Sequence, residues 1–189
     1  MRVETKKDAY DVHLGLRGRH QAVNGLVAIH LGEILGFDRS AIEYGLSASA
    51  WPGRLELVRR ESLAPLLIDG AHNADGARAL ADFLREFHSS QDRREEITLI
   101  FGAMSDKALH QMVEVLFPVA TTRIVTRIDN PRSVEPEEIA KLAKRMGWDS
   151  IVVESTAEAL GKADQVTSPN GMICVCGSLY LVGEIKSLL

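Results

Sequence analysis

From residue 66 onward, short apolar runs alternate with segments of helical period. The runs at 66–69, 97–102, 123–127, 151–154 and 172–176 read as strands. ITLIFG and MICVCG are apolar at nearly every position instead of alternating. Both faces of such strands are expected to be covered, as in a parallel sheet. Between the strands, Leu80, Phe83, Leu84 and Phe87 recur at i, i+3, i+4 and i+7. Leu109, Met112, Val113 and Leu116 do the same, as do Ile139, Leu142, Ala143 and Met146. Ser155 followed by Glu158 reads as a capping box. Ser105 and Ser133 are candidate N-caps, and Pro136 suits a first helical turn. The alternation predicts an α/β fold: a doubly wound, mostly parallel sheet with right-handed crossovers.

The chain before residue 66 has a different pattern. Residues 20–35 read as a helix with Val23, Leu26, Val27, His30, Leu31 and Ile34 on one side. A second, short helix is expected over 39–48, and YDVHLGL is strand-like. In WPGRLELVRRES, Pro52-Gly53 is a turn, and 55–60 alternates like an edge strand. That strand is expected to pair with the one at 66 as an antiparallel hairpin. The domain boundary is placed near Trp51, giving 1–50 and 51–189. One strand and two helices enclose little core, so the first fifty residues are expected to be the remnant of a preceding domain and to need a partner.

Composition narrows the function classes. A chain of 189 residues with 46% hydrophobic content can bury a proper core without staples. Net charge is −4, and no basic stripe suggests nucleic acid. The apolar runs are strand-sized, so no membrane crossing is expected. MRVETKKDAYD has no apolar stretch of the secretory kind. With two cysteines as well, a reducing, cytoplasmic location is expected. Cys174 and Cys176 share one strand face and read as buried thiols, since a metal site would need further ligands. The six histidines show no H-E-x-x-H spacing, so no metal site built by this chain is expected.

The stretch LLIDGAHNADGARAL (66–80) crowds Asp69, His72 and Asn73 at the exit of a buried strand. In open α/β sheets, ligands bind beyond the carboxyl ends of the strands. The next helix is expected to begin near Asp75, and its free N–H groups favour an anion. Asp69 can accept ribose hydroxyls or organise a cation, and His72 can donate to a phosphate or handle a proton. The structural alternative is that Asp69 or Asn73 caps the helix and His72 lies in a surface loop.

Six fragments occur in order: GRHQAVN (18–24), WPGRLE (51–56), DGAHN (69–73), FGAMSDK (101–107), NPRS (130–133) and GSLYLVGEI (177–185). With them the chain resembles the C-terminal part of a folylpolyglutamate synthase or dihydrofolate synthase, a family allied to the peptidoglycan Mur ligases. Ala74 stands where that family often has proline. The resemblance implies a helical remnant of the central ATPase domain followed by a Rossmann-like glutamate-ligase domain. It implies an ATP-dependent ligase. ATP phosphorylates a carboxylate of folate or dihydropteroate, and the amine of L-glutamate attacks the acyl phosphate. The resemblance also places the P-loop and the magnesium ligands in an N-terminal domain, expected to be missing here, and no G-x-x-x-x-G-K-[ST] occurs in this sequence. The fragment alone is expected to be inactive, and the full-length protein a monomer.

Residue by residue, the resemblance implies that Asn24 lies near the adenine and that Arg54 reaches the ATP phosphates. Asp69 falls at the ribose or phosphate end, and His72 near the phosphates and the incoming glutamate, so Asp69 and His72 are the candidate catalytic residues. Ser178 is linked with glutamate, with an N-cap as its alternative. Arg132 can grip a carboxylate through two parallel hydrogen bonds, or lie idle on a loop. Lys107 reads more readily as a solvated residue at a helix start. DNPR (129–132) also resembles the run by which one Mur ligase recognises diaminopimelate, so a Mur ligase domain is one alternative. A non-catalytic nucleotide-binding or interaction module is another. No G-x-G-x-x-G follows the first strand, which disfavours a dinucleotide-binding domain.

Overall fold

The computed structural model describes residues 1–89, 96–105 and 108–189. Its elements run β1 (Arg2–Glu4), β2 (Ala9–Asp11), α1 (Arg19–Ile34), α2 (Arg39–Ala48), β3 (Glu56–Val58), β4 (Leu66–Ile68) and α3 (Ala74–Ser89). Then come β5 (Ile97–Phe101), α4 (Leu109–Leu116), β6 (Thr122–Thr126), α5 (Pro136–Arg145), β7 (Ile151–Val153), α6 (Thr156–Val166), β8 (Met172–Cys176) and α7 (Leu179–Ser187). By internal packing the chain divides into two units, Met1–Arg54 and Leu55–Leu189.

The second unit is the doubly wound sheet expected from the pattern. Its strand order is β3-β4-β8-β5-β6-β7, with β3 antiparallel at the edge and every other pairing parallel. Successive side chains of a strand face opposite sides, and here both sides are covered. Leu67, Leu99, Phe101, Cys174 and Cys176 pack with α3, α4 and α5 residues such as Leu84, Met112 and Ile139. Leu66, Ile68, Ile100, Ile173 and Val175 pack with Ala159 and Ala163 of α6 and Leu181 and Ile185 of α7. Each large side chain buried this way contributes about 1.5–3 kcal/mol.

The order of crossovers explains why the helices divide so. From β4 through β7 the chain steps across the sheet in one direction, with α3, α4 and α5 on one face. From β7 it returns through α6 to β8, which sits between β4 and β5. A right-handed crossover that reverses direction must change face. The loops leaving the neighbouring strands β4 and β8 therefore turn to opposite sides of the sheet.

Several local expectations need correction. Neither Ser105 nor Ser133 is the N-cap of a described helix: α4 has Ala108 at its N-cap and α5 has Glu135, although Pro136 does open α5. The Ser133 hydroxyl instead accepts from the Ile128 N–H at 3.0 Å. Ser155 does cap α6, accepting from the Glu158 N–H, but the Glu158 carboxylate turns back to the Glu154 N–H, one residue before the cap. Lys107 lies outside the described residues.

In the first unit, β1 and β2 form an antiparallel hairpin beside α1 and α2. The apolar stripe of α1, expected to need a partner, is not the face that the helix buries here. Val23, Val27, Leu31 and Ile34 are exposed, while Gln21, Gly25, Ile29, Gly32 and Glu33 are buried. Small residues permit the closer contact: a Cβ on Gly32 would lie 2.8 Å from Ile42, and one on Gly25 3.0 Å from Leu14. The core here is small, built on Tyr10, Val12, Ile29 and Ile42. Among the described residues no helix is long and apolar enough to cross a membrane.

Candidate functional site

Asp69 leaves β4 at the carboxyl edge of the sheet, and its N–H donates to Val175 O at 3.0 Å. Its side chain is buried and faces backbone: Oδ1 accepts the Ala71 N–H at 2.8 Å and Oδ2 the Leu55 N–H at 2.9 Å. Leu55 needs that anchor. It is buried with φ at 44°, a left-handed conformation that bulky side chains rarely adopt. Asp69 therefore shapes the start of the β3–β4 hairpin as well as its own turn.

His72 sits two residues into the same loop and is half-buried. Its Nδ1 lies 2.7 Å from Gly70 O, and a nitrogen bonded to a carbonyl must carry the proton. Nε2 is then the acceptor in the neutral ring and a donor in the protonated one. No partner for Nε2 is found among the described residues. Asn73 caps α3, its Oδ1 accepting the Gly76 N–H at 2.8 Å.

The loop after β8 meets this one directly. Gly177 N–H donates to Ala71 O at 2.9 Å. Gly177 has φ at 111°, and a Cβ there would lie 2.3 Å from Gly102 O, so only glycine permits the approach. Ser178 is buried and caps α7, accepting the Tyr180 N–H at 3.1 Å. Beneath the rim, a hydrogen bond to Cys174 pushes the Cys176 thiol well up, burial and the Asp69 charge adding to it, so it stays protonated. Both cysteines are free and buried.

Arg132 lies on the loop after β6, two strands from β8 across β5. The structure thus joins the Asp69, His72 and Ser178 loops and leaves Arg132 further along the same edge. The Arg132 loop is firmly built. Asn130 Oδ1 accepts the Arg132 N–H at 3.0 Å, and Asn130 O the Ser133 N–H at 2.9 Å. Ser105 N–H donates to Arg132 O, and Val134 N–H to Ala103 O, each at 2.9 Å. The FGAMS and NPRS runs are therefore two sides of one clip.

Sequence reasoning missed Glu184. Its Oε1 accepts the Asp129 N–H at 2.8 Å, and its Oε2 accepts from the Thr156 hydroxyl. The available signal was an acidic residue three positions after the buried Leu181, on the inward side of α7. In the first unit, the exposed Asn24 donates to Gln21 Oε1 at 2.9 Å. Arg54 closes the Trp51–Arg54 turn, its N–H donating to Trp51 O at 3.2 Å. Among the described residues no group of three or more His, Cys, Asp or Glu gathers to hold a metal. Asp69, each of whose oxygens accepts a backbone N–H, belongs to no such group.

Loops that leave two neighbouring parallel strands, β4 and β8, toward opposite faces make this a doubly wound α/β domain with its switch point between them. The chain belongs to the Mur ligase family: the model of the "Mur ligase, glutamate ligase domain" matches residues 53–179. It is 32% identical over 188 residues to a probable bifunctional folylpolyglutamate synthase/dihydropteroate synthase of Haloferax volcanii, covering 98% of this chain and 22% of that protein. To a dihydrofolate synthase/folylpolyglutamate synthase of Bacillus subtilis it is 27% identical, covering 98% of this chain and 43% of the relative. The crystal structure of Mycobacterium tuberculosis folylpolyglutamate synthase complexed with ADP and AMPPCP superposes with a TM-score of 0.82 at 29% identity, over 95% of this chain and 42% of that one. The chain thus spans less than half the length of these relatives.

Proposed function

We propose that this chain is the glutamate-ligating part of an ATP-dependent ligase that adds L-glutamate to folate or dihydropteroate. The observation that carries the reading is the joined rim of Asp69, His72 and Ser178 at the switch point, in a chain whose relatives bear folylpolyglutamate synthase names. A carboxylate oxygen of the acceptor takes the γ-phosphoryl group of ATP, releasing ADP. The glutamate nitrogen then forms a bond to the acyl carbon, the carbon–oxygen bond to phosphate breaks, and the nitrogen loses a proton.

His72 suits two of these tasks. Its Nδ1–H is fixed on Gly70 O, so Nε2 is aimed by the loop and donates to a phosphate when protonated or takes the amine proton when neutral. Asp69 acts by holding the rim, and Ser178 by presenting the N-terminus of α7. Arg132 binds a carboxylate of glutamate. Asn24 and Arg54 are assigned to the nucleotide on the family resemblance. Magnesium would neutralise phosphate charge and is expected to be held by the nucleotide-binding part.

The test is incorporation of labelled L-glutamate into a folate acceptor, with ATP, magnesium and the P-loop part present. His72→Ala is expected to cut kcat by about 10²–10⁴, and Arg132→Ala to raise KM for glutamate by about tenfold. Turnover unchanged in both would sink the assignment. The DNPR run supports a second reading, a cell-wall ligase. Preference for diaminopimelate over glutamate in the same assay would select it.

A further inference from the structure

We infer that Glu184 is a positioning residue for the amino-acid substrate: it fixes the 129–132 loop and so the guanidinium of Arg132. The inference rests on the reading of Arg132 as the carboxylate grip. Within the loop, Asn130 ties the turn to itself through the Arg132 and Ser133 N–H groups. One flank is clipped to the exit of β5 by Ser105 N–H to Arg132 O and Val134 N–H to Ala103 O. The other flank begins at Asp129, and its N–H is held by Glu184 Oε1 at 2.8 Å. The second oxygen of the same carboxylate receives the hydroxyl of the buried Thr156, the first residue of α6. One rigid carboxylate thus sets the Asp129 flank against two helices.

The consequence is specific. On that reading Arg132 holds a glutamate carboxylate that takes no part in the bond changes, so the contact is the same before and during bond formation. Losing its aim weakens binding of ground state and transition state alike, which raises KM and leaves kcat. Glu184→Ala removes both bonds. Glu184→Gln keeps an oxygen for Asp129, and its amide donates to the Thr156 oxygen, so it restores the clamp.

The experiment is steady-state ligation with the P-loop part present. Glu184→Ala is expected to raise KM for L-glutamate about tenfold, the size of one lost hydrogen bond to a charged group. Its kcat should stay within about twofold of the parent and its KM for ATP unchanged. Glu184→Gln should match the parent, and Thr156→Val should fall between. If Arg132→Ala leaves KM for glutamate unchanged, the Arg132 reading fails and this inference with it. If Arg132→Ala raises it and Glu184→Ala does not, or lowers kcat and shifts both KM values together, only the inference is overturned. Should Glu184→Ala not fold, Thr156→Val against Glu184→Gln decides. On the 189-residue chain itself, amide exchange at Asp129 should be slow in the parent and fast in Glu184→Ala or Thr156→Val, and fast exchange in the parent would also overturn it.

Discussion

Asp69 accepts the Leu55 N–H on one oxygen at 2.9 Å and the Ala71 N–H on the other at 2.8 Å. Bonds from N–H groups to a charged acceptor contribute roughly 1.5–3 kcal/mol each. Leu55 also sits at a positive φ, a conformation costing about 1–3 kcal/mol that its surroundings must hold. Asp69→Ala is therefore expected to lower stability by roughly 3–5 kcal/mol, and Tm by on the order of 10 °C. Asp69→Asn keeps one acceptor and should lose about half as much. A thermal melt checks both, and an Asp69→Ala melt indistinguishable from the parent would refute the anchoring role. Activity lost in that variant would then report a displaced rim as much as a lost ligand contact. His72→Ala is the cleaner probe, since its ring bonds a single carbonyl, Gly70 O. An acidic residue at the exit of a buried strand is legible in one dimension. Its partner fourteen positions back is not, because the bond depends on how the Pro-Gly-Arg turn and the hairpin close.

The strand at 172–176 was legible to the residue because five apolar positions in a row leave no solvent side. The antiparallel edge was legible from its alternation and turn, although only Glu56–Val58 pair in the ladder. The small-residue side on which α1 packs was not. Hydropathy marks where an apolar stripe runs, and glycine contacts such as Gly25 on Leu14 carry no such signal. β1 escaped because three residues are too few to show a period. In place of a large apolar core, these elements are joined by carboxylates. Glu33 on α1 accepts the Thr5 and Tyr10 hydroxyls, Asp38 caps α2 through the Ala41 N–H, and Glu43 on α2 accepts the Asp11 N–H. These bonds, led by Thr5 for Glu33, Ala41 for Asp38 and Asp11 for Glu43, hold all three carboxyls below their ordinary values. A carboxyl lowered in the folded state adds stability above its unfolded pKa and loses it as pH falls through the folded one. Amide protection in α1 and α2 is thus expected to hold near neutrality and to fall below about pH 4. Protection unchanged down to about pH 2 would contradict the carboxylate account.

At the scale of the whole molecule, the proposed ligation needs groups on two sides, and this chain is expected to offer one of them. Its rim supplies the N-termini of α3 and α7, capped by Asn73 and Ser178, and one aimed imidazole. Phosphoryl transfer needs more: a cradle of backbone N–H groups, a lysine and a metal holding the phosphates in line. No G-x-x-x-x-G-K-[ST] occurs in the sequence, and no metal-holding cluster forms among the described residues. A single well-placed charge stabiliser is worth about 10²–10³ in rate, so without cradle, lysine and metal together turnover is expected to fall far below detection. The first unit leaves apolar surface uncovered. Val23, Val27, Leu31 and Ile34 face outward on α1, beside an apolar groove of about 430 Å³ lined by Leu35, Phe37, Ile42 and Leu46. The expectation is that residues 1–189 alone, given ATP, magnesium, a folate acceptor and L-glutamate, incorporate no glutamate. Joining them to the P-loop part expected upstream should restore ligation, and His72→Ala in the joined protein should abolish most of it. Steady incorporation by residues 1–189 alone, proportional to protein and lost in His72→Ala, would falsify the half-site account, because a cradle unlike the family's would then have to lie within this chain.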